Sequence, residues 1–222
     1  MELCGRSDFL QNDGAGTTST SKENSLAAVN EKLGGRLPLV DPAGLSPDQQ
    51  DLAASVRTTQ LPWAINAGFE ITSPDDRLIG PFNAFLHHPE IASRFLAFAA
   101  AESKFTMLNA RIREIVILAV GGVWAAEYEL YAHSVLAANA GIDTAAIQAL
   151  AHGEVPTSLY GDELIAAELA QQLSKAHRID DALYRAAETA FGRRGLFDIV
   201  ALMGQYLTVS ALLSLFEVPA PR

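Results

Sequence analysis

Cysteine is almost missing from this sequence, and its scarcity excludes two kinds of site. The 222 residues contain one cysteine, Cys4, so neither an intrachain disulfide nor a cysteine-based metal site can form. Basic residues are also few, since 16 Lys and Arg stand against 26 Asp and Glu, a formal net charge of −10. Because an acidic surface repels phosphate groups, we expect no nucleic-acid partner and no anionic membrane surface as a partner.

Signals for secretion and membrane insertion are weak. The first residues lack a basic stretch followed by an apolar one, so no secretory signal is expected. The apolar run 115–126 is too short to cross a bilayer, whereas the run 199–216 has 18 residues without a charge. The second run contains Gly, Gln, Thr and Ser, which favours a buried core helix. We therefore expect a soluble, cytoplasmic protein.

Helix-start and helix-stop signals follow one another from residue 46 onward. Ser46, Pro47 and Gln49 have the spacing of a capping box with proline at the first helical position. Similar signals begin or end further helices at His88, Asn109, Gly141, Asp143, Gly153, Asp162, Asp180 and Gly192. Since no stretch alternates with period two, the sequence predicts one all-α, multi-helix domain over residues 45–222. Residues 1–44, rich in Gly, Ser, Thr and Asn, are predicted to be a mostly disordered leader.

Two consecutive predicted helices carry candidate acid/base residues. Glu114 stands at the edge of an apolar helix, where it either pairs with Arg111 or has a raised pKa. On the next helix, Glu129 and His133 are four residues apart and share a face. A carboxylate beside an imidazole fixes the tautomer and raises the pKa of the ring, as a general acid/base needs. The alternative is a surface pair that only stabilises the helix.

Other polar residues give weaker signals. Asn83 and His87 are four residues apart at a turn and are candidates to face a pocket. No third ligand stands at a diagnostic spacing from Glu129 and His133, so we expect no metal. A phosphate-binding loop, a nucleophile elbow and a dinucleotide fingerprint are all missing, so we expect no cofactor. The remaining residues are expected to have structural roles rather than functional ones. We expect Trp63, Phe82 and Phe85 in the core, His88 as a helix cap, and His152 and His177 on the surface.

The candidate residues form one ordered pattern. It runs Arg111-x-x-Glu114, an apolar helix, then Glu127-Tyr128-Glu129-x-Tyr131-Ala132-His133 and Gly141. This order resembles the carboxymuconolactone decarboxylase family, which includes the alkylhydroperoxidase-like proteins. The resemblance covers at least residues 77–217 and implies the all-α fold of the alkylhydroperoxidase-like type. It also implies a homo-oligomer, a trimer or a hexamer.

The peroxidase branch of that family has a Cys-x-x-Cys pair between the glutamate and the histidine. Alignment on Glu114 and His133 places the two cysteine positions at Ala126 and Glu129, and neither is cysteine. A dithiol peroxidase needs a nucleophilic thiolate and a resolving thiol. We therefore expect thiol peroxidase activity to be excluded.

The decarboxylase branch implies a cofactor-independent acid/base lyase that acts on a small unsaturated carboxylic acid or lactone. In that interpretation His133 donates and accepts the proton, Glu129 orients it and Glu114 is a second acid/base. Candidates for substrate binding are Arg111, Asn83, His87 and Tyr131, although Arg111 can equally neutralise Glu114. The alternatives are an isomerase, cyclase or dehydratase for a larger metabolite in the same pocket, and a non-catalytic binding protein or structural oligomer.

Overall fold

The computed structural model describes residues 32–221, and α-helices make up most of them. After a short 3-10 helix at Pro42–Gly44, the eight α-helices of the described residues are α1 Pro47–Ala67, α2 Pro81–Leu86, α3 Pro89–Phe105, α4 Ala110–Trp124, α5 Glu127–Asn139, α6 Thr144–Ala151, α7 Asp162–Ala176 and α8 Asp181–Leu215. Extended pairing in this part of the chain is limited to one antiparallel bridge between Thr72 and Leu78. The all-α prediction is confirmed.

The helices begin where the sequence signals place them. The Ser46 hydroxyl accepts a hydrogen bond from the Gln49 backbone N–H, and the Gln49 side chain accepts one from the Ser46 N–H. The same kind of side-chain cap starts α4, α6 and α8, at Asn109, Asp143 and Asp180. Gly192, with φ of 62°, breaks α8 into two helical segments. Glycine adopts this backbone conformation without steric cost, so the predicted break at this position is confirmed.

Helix α4 lies at the centre of the core, and its middle is buried on every side. The fully or nearly fully buried residues run from Ile115 to Val120. On one side, α4 packs with α6, α7 and part of α8 in one hydrophobic cluster. A second cluster joins α1, α2, α5 and the end of α8. Helix α5 contributes side chains to this second cluster and also packs against α4. The residues at the contact between α4 and α5 are therefore held by packing from both sides.

The packed region begins earlier than predicted. The sequence pattern placed residues 1–44 in a leader, of which residues 1–31 lie outside the described residues. Residues 32–44 pack on the helical domain, because Leu33 and Leu39 are buried in the second cluster. The boundary at residue 44 is therefore corrected. The apolar side chains Leu33 and Leu39, within a mostly polar stretch, pack this segment against the helical domain.

Helix α8 is long and apolar enough to span a membrane if only length and composition are considered. In its most apolar 18-residue window, 39% of the residues are buried inside the protein. One face, with Ile199, Leu202 and Leu213, belongs to the core, whereas Phe197 and Val200 are exposed. Helix α8 therefore contributes to the core through one face.

The close contact between α4 and α6 predicts that one methyl group added at Gly122 lowers the stability of the protein. A Cβ at Gly122 would lie 2.0 Å from the Leu150 carbonyl oxygen. We expect Gly122→Ala to lower the free energy of unfolding by about 2 kcal/mol, measured by urea denaturation. Gly204→Ala is the matched control, because a Cβ at Gly204 meets nothing within 4 Å and should leave stability unchanged or raise it slightly. Equal stability of the two variants would contradict the tight contact.

Candidate functional site

The imidazole of His133 lies between two carboxyl groups. Its Nδ1 is 2.8 Å from Glu114 Oε2, and its Nε2 is 3.5 Å from Glu129 Oε1. Glu114 comes from α4, and the other two residues lie one turn apart on α5. The structure thus brings the three predicted catalytic residues together. The i,i+4 spacing on α5 places two of them on one face, and the packing of α4 against α5 adds the third.

Burial and neighbouring charges change the pKa values of Glu129 and His133. The side chains of Glu129 and His133 are 4% and 7% exposed, and that of Glu114 is 13% exposed. Burial raises the pKa of Glu129 to about 7, although the charge of His133 opposes the rise. Burial also acts to lower the pKa of His133, but the charges of Glu114 and Glu129 outweigh it, so this pKa is raised. A carboxyl group and an imidazole that exchange protons near neutral pH suit general acid/base chemistry.

Two further side chains fix the surroundings of His133. The ring of Tyr206 from α8 meets the imidazole edge-to-face, with 4.9 Å between ring centres. Burial raises the pKa of Tyr206 well above its ordinary value, and the nearby Glu129 and Glu114 raise it further, so its hydroxyl stays neutral. Arg113 makes a two-pronged ion pair with Glu102 of α3 at 2.5 and 2.8 Å. This pair ties α3 to α4 beside the site.

A cavity of about 740 Å³ opens next to Glu114 and His133. Its walls come from five helices and include Trp63 of α1, Lys104 of α3, Arg113 of α4, and Gln205 and Tyr206 of α8. This volume lies in the range of pockets that hold small organic molecules. A second, smaller pocket of about 110 Å³ lies on the Glu129 side of His133 and is lined mainly by aromatic rings. His133 lines both spaces.

Arg111 does not take the place predicted for it. Its guanidinium binds Glu163 of α7 at 2.6 and 3.0 Å and donates to the Gly141 carbonyl. It therefore neither neutralises Glu114 nor lines the cavity. The placement predicted for Arg111 is wrong, because the side of α4 that carries it packs towards α7; Arg113, which pairs with Glu102, lines the cavity instead.

The other three predicted substrate-binding residues also lie outside both spaces, each for a physical reason. Asn83 is buried, with its Oδ1 accepting from the Val40 N–H and its Nδ2 donating to the Pro38 carbonyl, so it holds the segment before α1. The Tyr131 hydroxyl accepts a hydrogen bond from the Glu70 backbone N–H at 3.0 Å. His87 is exposed at the end of α2. The predicted placement of these three residues at the site is corrected.

Several residues of the cavity wall had not been predicted. On α4, a local signal exists: Ala110, Arg113, Glu114 and Ile117 follow the i, i+3, i+4, i+7 spacing of one helix face, and all four line the cavity. Residues from distant helices had no such signal. They are Trp63, Lys104, Gln205 and Tyr206, which reach the site only through tertiary packing.

Possible metal ligands are not grouped in the described part of the chain. Among residues 32–221, no cluster of three or more His, Cys, Asp or Glu side chains is arranged to hold a metal ion.

Comparison with known proteins identifies the fold. No family model and no curated protein matches the chain. Among solved structures, it resembles the alkylhydroperoxidase AhpD core of an uncharacterized peroxidase-related protein from Ralstonia eutropha JMP134, with a TM-score of 0.65 and 16% identity over 84% of this chain and 92% of the other. An uncharacterized peroxidase-related protein from Silicibacter sp. TM1040 gives a TM-score of 0.65 and 16% identity over 86% and 93%. The chain therefore has the all-α fold of the AhpD type, as the resemblance predicted.

The ion-pair geometry predicts how His133 titrates. Glu114→Gln and Glu129→Gln should each lower the pKa of His133, because each removes a negative charge beside the ring. The measurement is a pH titration of the imidazole signals by NMR. Glu163→Gln is the matched control, since that carboxylate pairs with Arg111 and should leave the pKa of His133 nearly unchanged. Identical His133 titrations in all four proteins, including the wild type, would show that the three groups are not coupled.

The raised pKa of Glu129 predicts a stability that falls as pH rises. Above pH 4.5, the ordinary pKa of a glutamate, the unfolded chain loses a proton that the folded chain keeps up to about pH 7. Unfolding therefore becomes easier as the pH rises across this window. The raised pKa of His133 acts in the same direction, since its stabilising interaction is lost as pH rises through the folded value. We expect the free energy of unfolding to fall by up to about 3 kcal/mol between pH 5 and pH 8.

Urea denaturation at several pH values would measure this fall. Glu129→Gln should flatten the pH dependence, because the substituted side chain has no proton to lose. Parallel curves for the wild type and the variant would contradict the burial of an ionisable carboxyl group at this position.

Proposed function

We propose that the protein is a cofactor-independent acid/base lyase, decarboxylase-like, that acts on an unsaturated carboxylic acid or lactone bound beside His133. The observation that carries the proposal is the buried imidazole held between Glu114 and Glu129 at the wall of a cavity of about 740 Å³. Burial of three ionisable groups costs free energy, which is typical of sites selected for chemistry.

The proposed reaction needs one positioned proton donor. When a substrate carboxylate leaves as carbon dioxide, the carbon–carbon bond breaks and its electron pair moves into the conjugated system of the substrate. A substrate carbon then takes the proton of His133, and solvent returns a proton to the ring. The protein supplies orientation and the proton, which together suit a substrate that carries its own electron sink.

The geometry supports roles for Glu114 and Glu129 that are the reverse of those expected from the sequence. Glu114 lies at hydrogen-bond distance from Nδ1, so it suits the role of orienting the ring. Glu129 lies 3.5 Å from Nε2 and has a pKa of about 7, so it suits the role of a second proton donor. We therefore assign the orienting role to Glu114 and the second acid/base role to Glu129.

A dithiol peroxidase cycle is not part of the proposal. Solved structures with this fold are named peroxidase-related, and that description belongs to those proteins. In this chain the two positions that would hold the cysteine pair are Ala126, buried at the start of α5, and Glu129. The one cysteine, Cys4, lies outside the described residues. Chemistry at His133 would therefore proceed through protons.

The size of the cavity favours one second candidate. A volume of about 740 Å³ exceeds what a small lactone acid fills. The same three residues could move a proton between two atoms of a larger metabolite without loss of carbon dioxide. An isomerase, cyclase or dehydratase is the alternative for this reason.

We also propose that the protein assembles with copies of itself. Exposed apolar side chains lie along one face of α8, at Phe197, Val200 and Leu215. An exposed apolar face on a long helix supports an interface between protomers. A trimer or hexamer is the expected assembly, and light scattering would measure it.

A substrate screen tests the proposed function. Unsaturated lactone acids and conjugated carboxylic acids are incubated with the protein, and carbon dioxide release and ultraviolet absorbance are followed. For any substrate found, His133→Gln should lower kcat by about 10²–10⁴-fold, because the proton donor is lost. The exposed His152→Gln is the matched control and should keep kcat within about twofold of the wild type.

The outcomes separate the candidates. Product without carbon dioxide release would favour the isomerase, cyclase or dehydratase. Unchanged turnover in the His133→Gln variant would remove His133 from the mechanism. Ligand binding without turnover in any protein would favour a non-catalytic binding protein.

A further inference from the structure

The smaller pocket differs in chemistry from the larger cavity next to it. Its walls are mostly apolar and include the aromatic residues Trp63, Phe69, Phe82, Phe85, Phe95 and Tyr128. Its volume is about 110 Å³. This is on the order of the ~150 Å³ apolar cavity that takes up benzene in an engineered protein. The pocket therefore has room for one planar ring and little else.

Two polar atoms at this pocket make no hydrogen bond, although one of them, Oε1 of Glu129, lies 3.5 Å from Nε2 of His133. Oε1 of Glu129 and Oε1 of Gln205 are buried and make no hydrogen bond with any described residue. Both side chains line the pocket, and Glu129 as a whole is only 3% exposed. A buried polar atom without a hydrogen bond is unfavourable, so a ligand group that satisfies it binds more tightly. A hydroxyl group donates one hydrogen bond and accepts another, so it can donate to the Gln205 amide oxygen and accept from Glu129 when that carboxyl group is protonated.

The larger cavity offers a complementary charge. Lys104 stands exposed at its wall and makes no ion pair within residues 32–221. Its Nζ lies 5.2 Å from the centre of the Phe105 ring. Gln205 and Tyr206 line both spaces, as His133 does, so one molecule can extend from the pocket past the imidazole into the cavity. A carboxylate at the far end of such a molecule would meet Lys104.

We propose that the aromatic pocket is a specificity subsite for a planar ring that bears a hydroxyl group, and that the ligand is a hydroxyaryl carboxylic acid whose carboxylate points into the larger cavity. This inference rests on the proposed function, because it names the substrate class of the same site. Binding can nevertheless be measured without turnover. The hydroxyl meets Glu129 and Gln205, the ring stacks among the aromatic residues, and the chain carrying the carboxylate passes His133.

Two variants with the same substitution distinguish the two spaces. Ala132 lines only the small pocket, and Ala110 lines only the larger cavity. The probe is 4-hydroxycinnamate, and its Kd is measured by isothermal titration calorimetry. Ala132→Leu should raise Kd at least tenfold because the added side chain fills the pocket. Ala110→Leu should change Kd by no more than about threefold, because the larger cavity tolerates the extra volume.

Matched ligands test the hydroxyl group separately. Cinnamate, which lacks the hydroxyl, should bind the wild type at least tenfold more weakly than 4-hydroxycinnamate. In Gln205→Leu, which removes one acceptor, the two ligands should bind with Kd values within about threefold of each other. Equal binding of both ligands to the wild type would overturn the proposal, and so would no binding at millimolar concentration.

A replacement variant covers the case in which Ala132→Leu does not fold, and a turnover assay separates failure of the subsite from failure of the proposed lyase. If circular dichroism shows that Ala132→Leu does not fold, Val209→Phe replaces it, because Val209 also lines only the small pocket. If 4-hydroxycinnamate binds as expected and no substrate is ever consumed, the subsite stands and the proposed lyase fails. If a small lactone acid is consumed and neither pocket-filling variant changes the Kd of 4-hydroxycinnamate, the lyase stands and the subsite fails.

Discussion

The contact between His133 and Glu114 joins the two helices on which the candidate site depends. Helix α4 is otherwise apolar over its buried length, and Glu114 introduces a carboxyl group at the edge of that segment. Removing charged groups from water costs several kcal/mol per ion, and a hydrogen bond of 2.8 Å offsets only part of this cost. An apolar pair of similar size would hold α4 and α5 together at least as well. Stability alone therefore does not account for the imidazole and carboxyl groups at this position, whereas the proposed proton transfer would.

The packing around α4 keeps this contact in one geometry. Gly122 lets α4 approach α6 so closely that no side chain fits between them. On the opposite side, the Arg113–Glu102 ion pair ties α4 to α3, and the Tyr206 ring from α8 stands against the imidazole. Each of the surrounding helices thus restrains a different part of the site. In the proposed reaction, a proton donor restrained in this way would need little reorganisation when a substrate binds.

The sequence predicted the residues of the site better than it predicted their surroundings. Caps such as Ser46, Asn109 and Asp180 act over three or four residues, so the helices could be predicted from local chemistry. The Glu129–His133 spacing is also local, and Glu114 was marked by its position at the edge of an apolar helix, with which the family pattern agreed. The prediction for Arg111 was wrong because Arg111 and Arg113 both closely precede Glu114 on α4, and only packing against α7 decides which one faces the cavity. Tyr206 and Gln205 come from a distant helix, and no local pattern marks them.

The two sides of the imidazole ring differ in their surroundings, and this difference supports the roles proposed for Glu114 and Glu129. The Glu114 side of the ring borders a large cavity with charged walls, where the Glu114 side chain is 13% exposed. The Nε2 side borders a small aromatic pocket, where burial raises the pKa of Glu129 to about 7 and favours its protonated form. The two carboxyl groups are thus placed in unlike surroundings, which supports the different roles proposed for them. His133 lies at the boundary, so a molecule that extends across both spaces has its middle beside the ring.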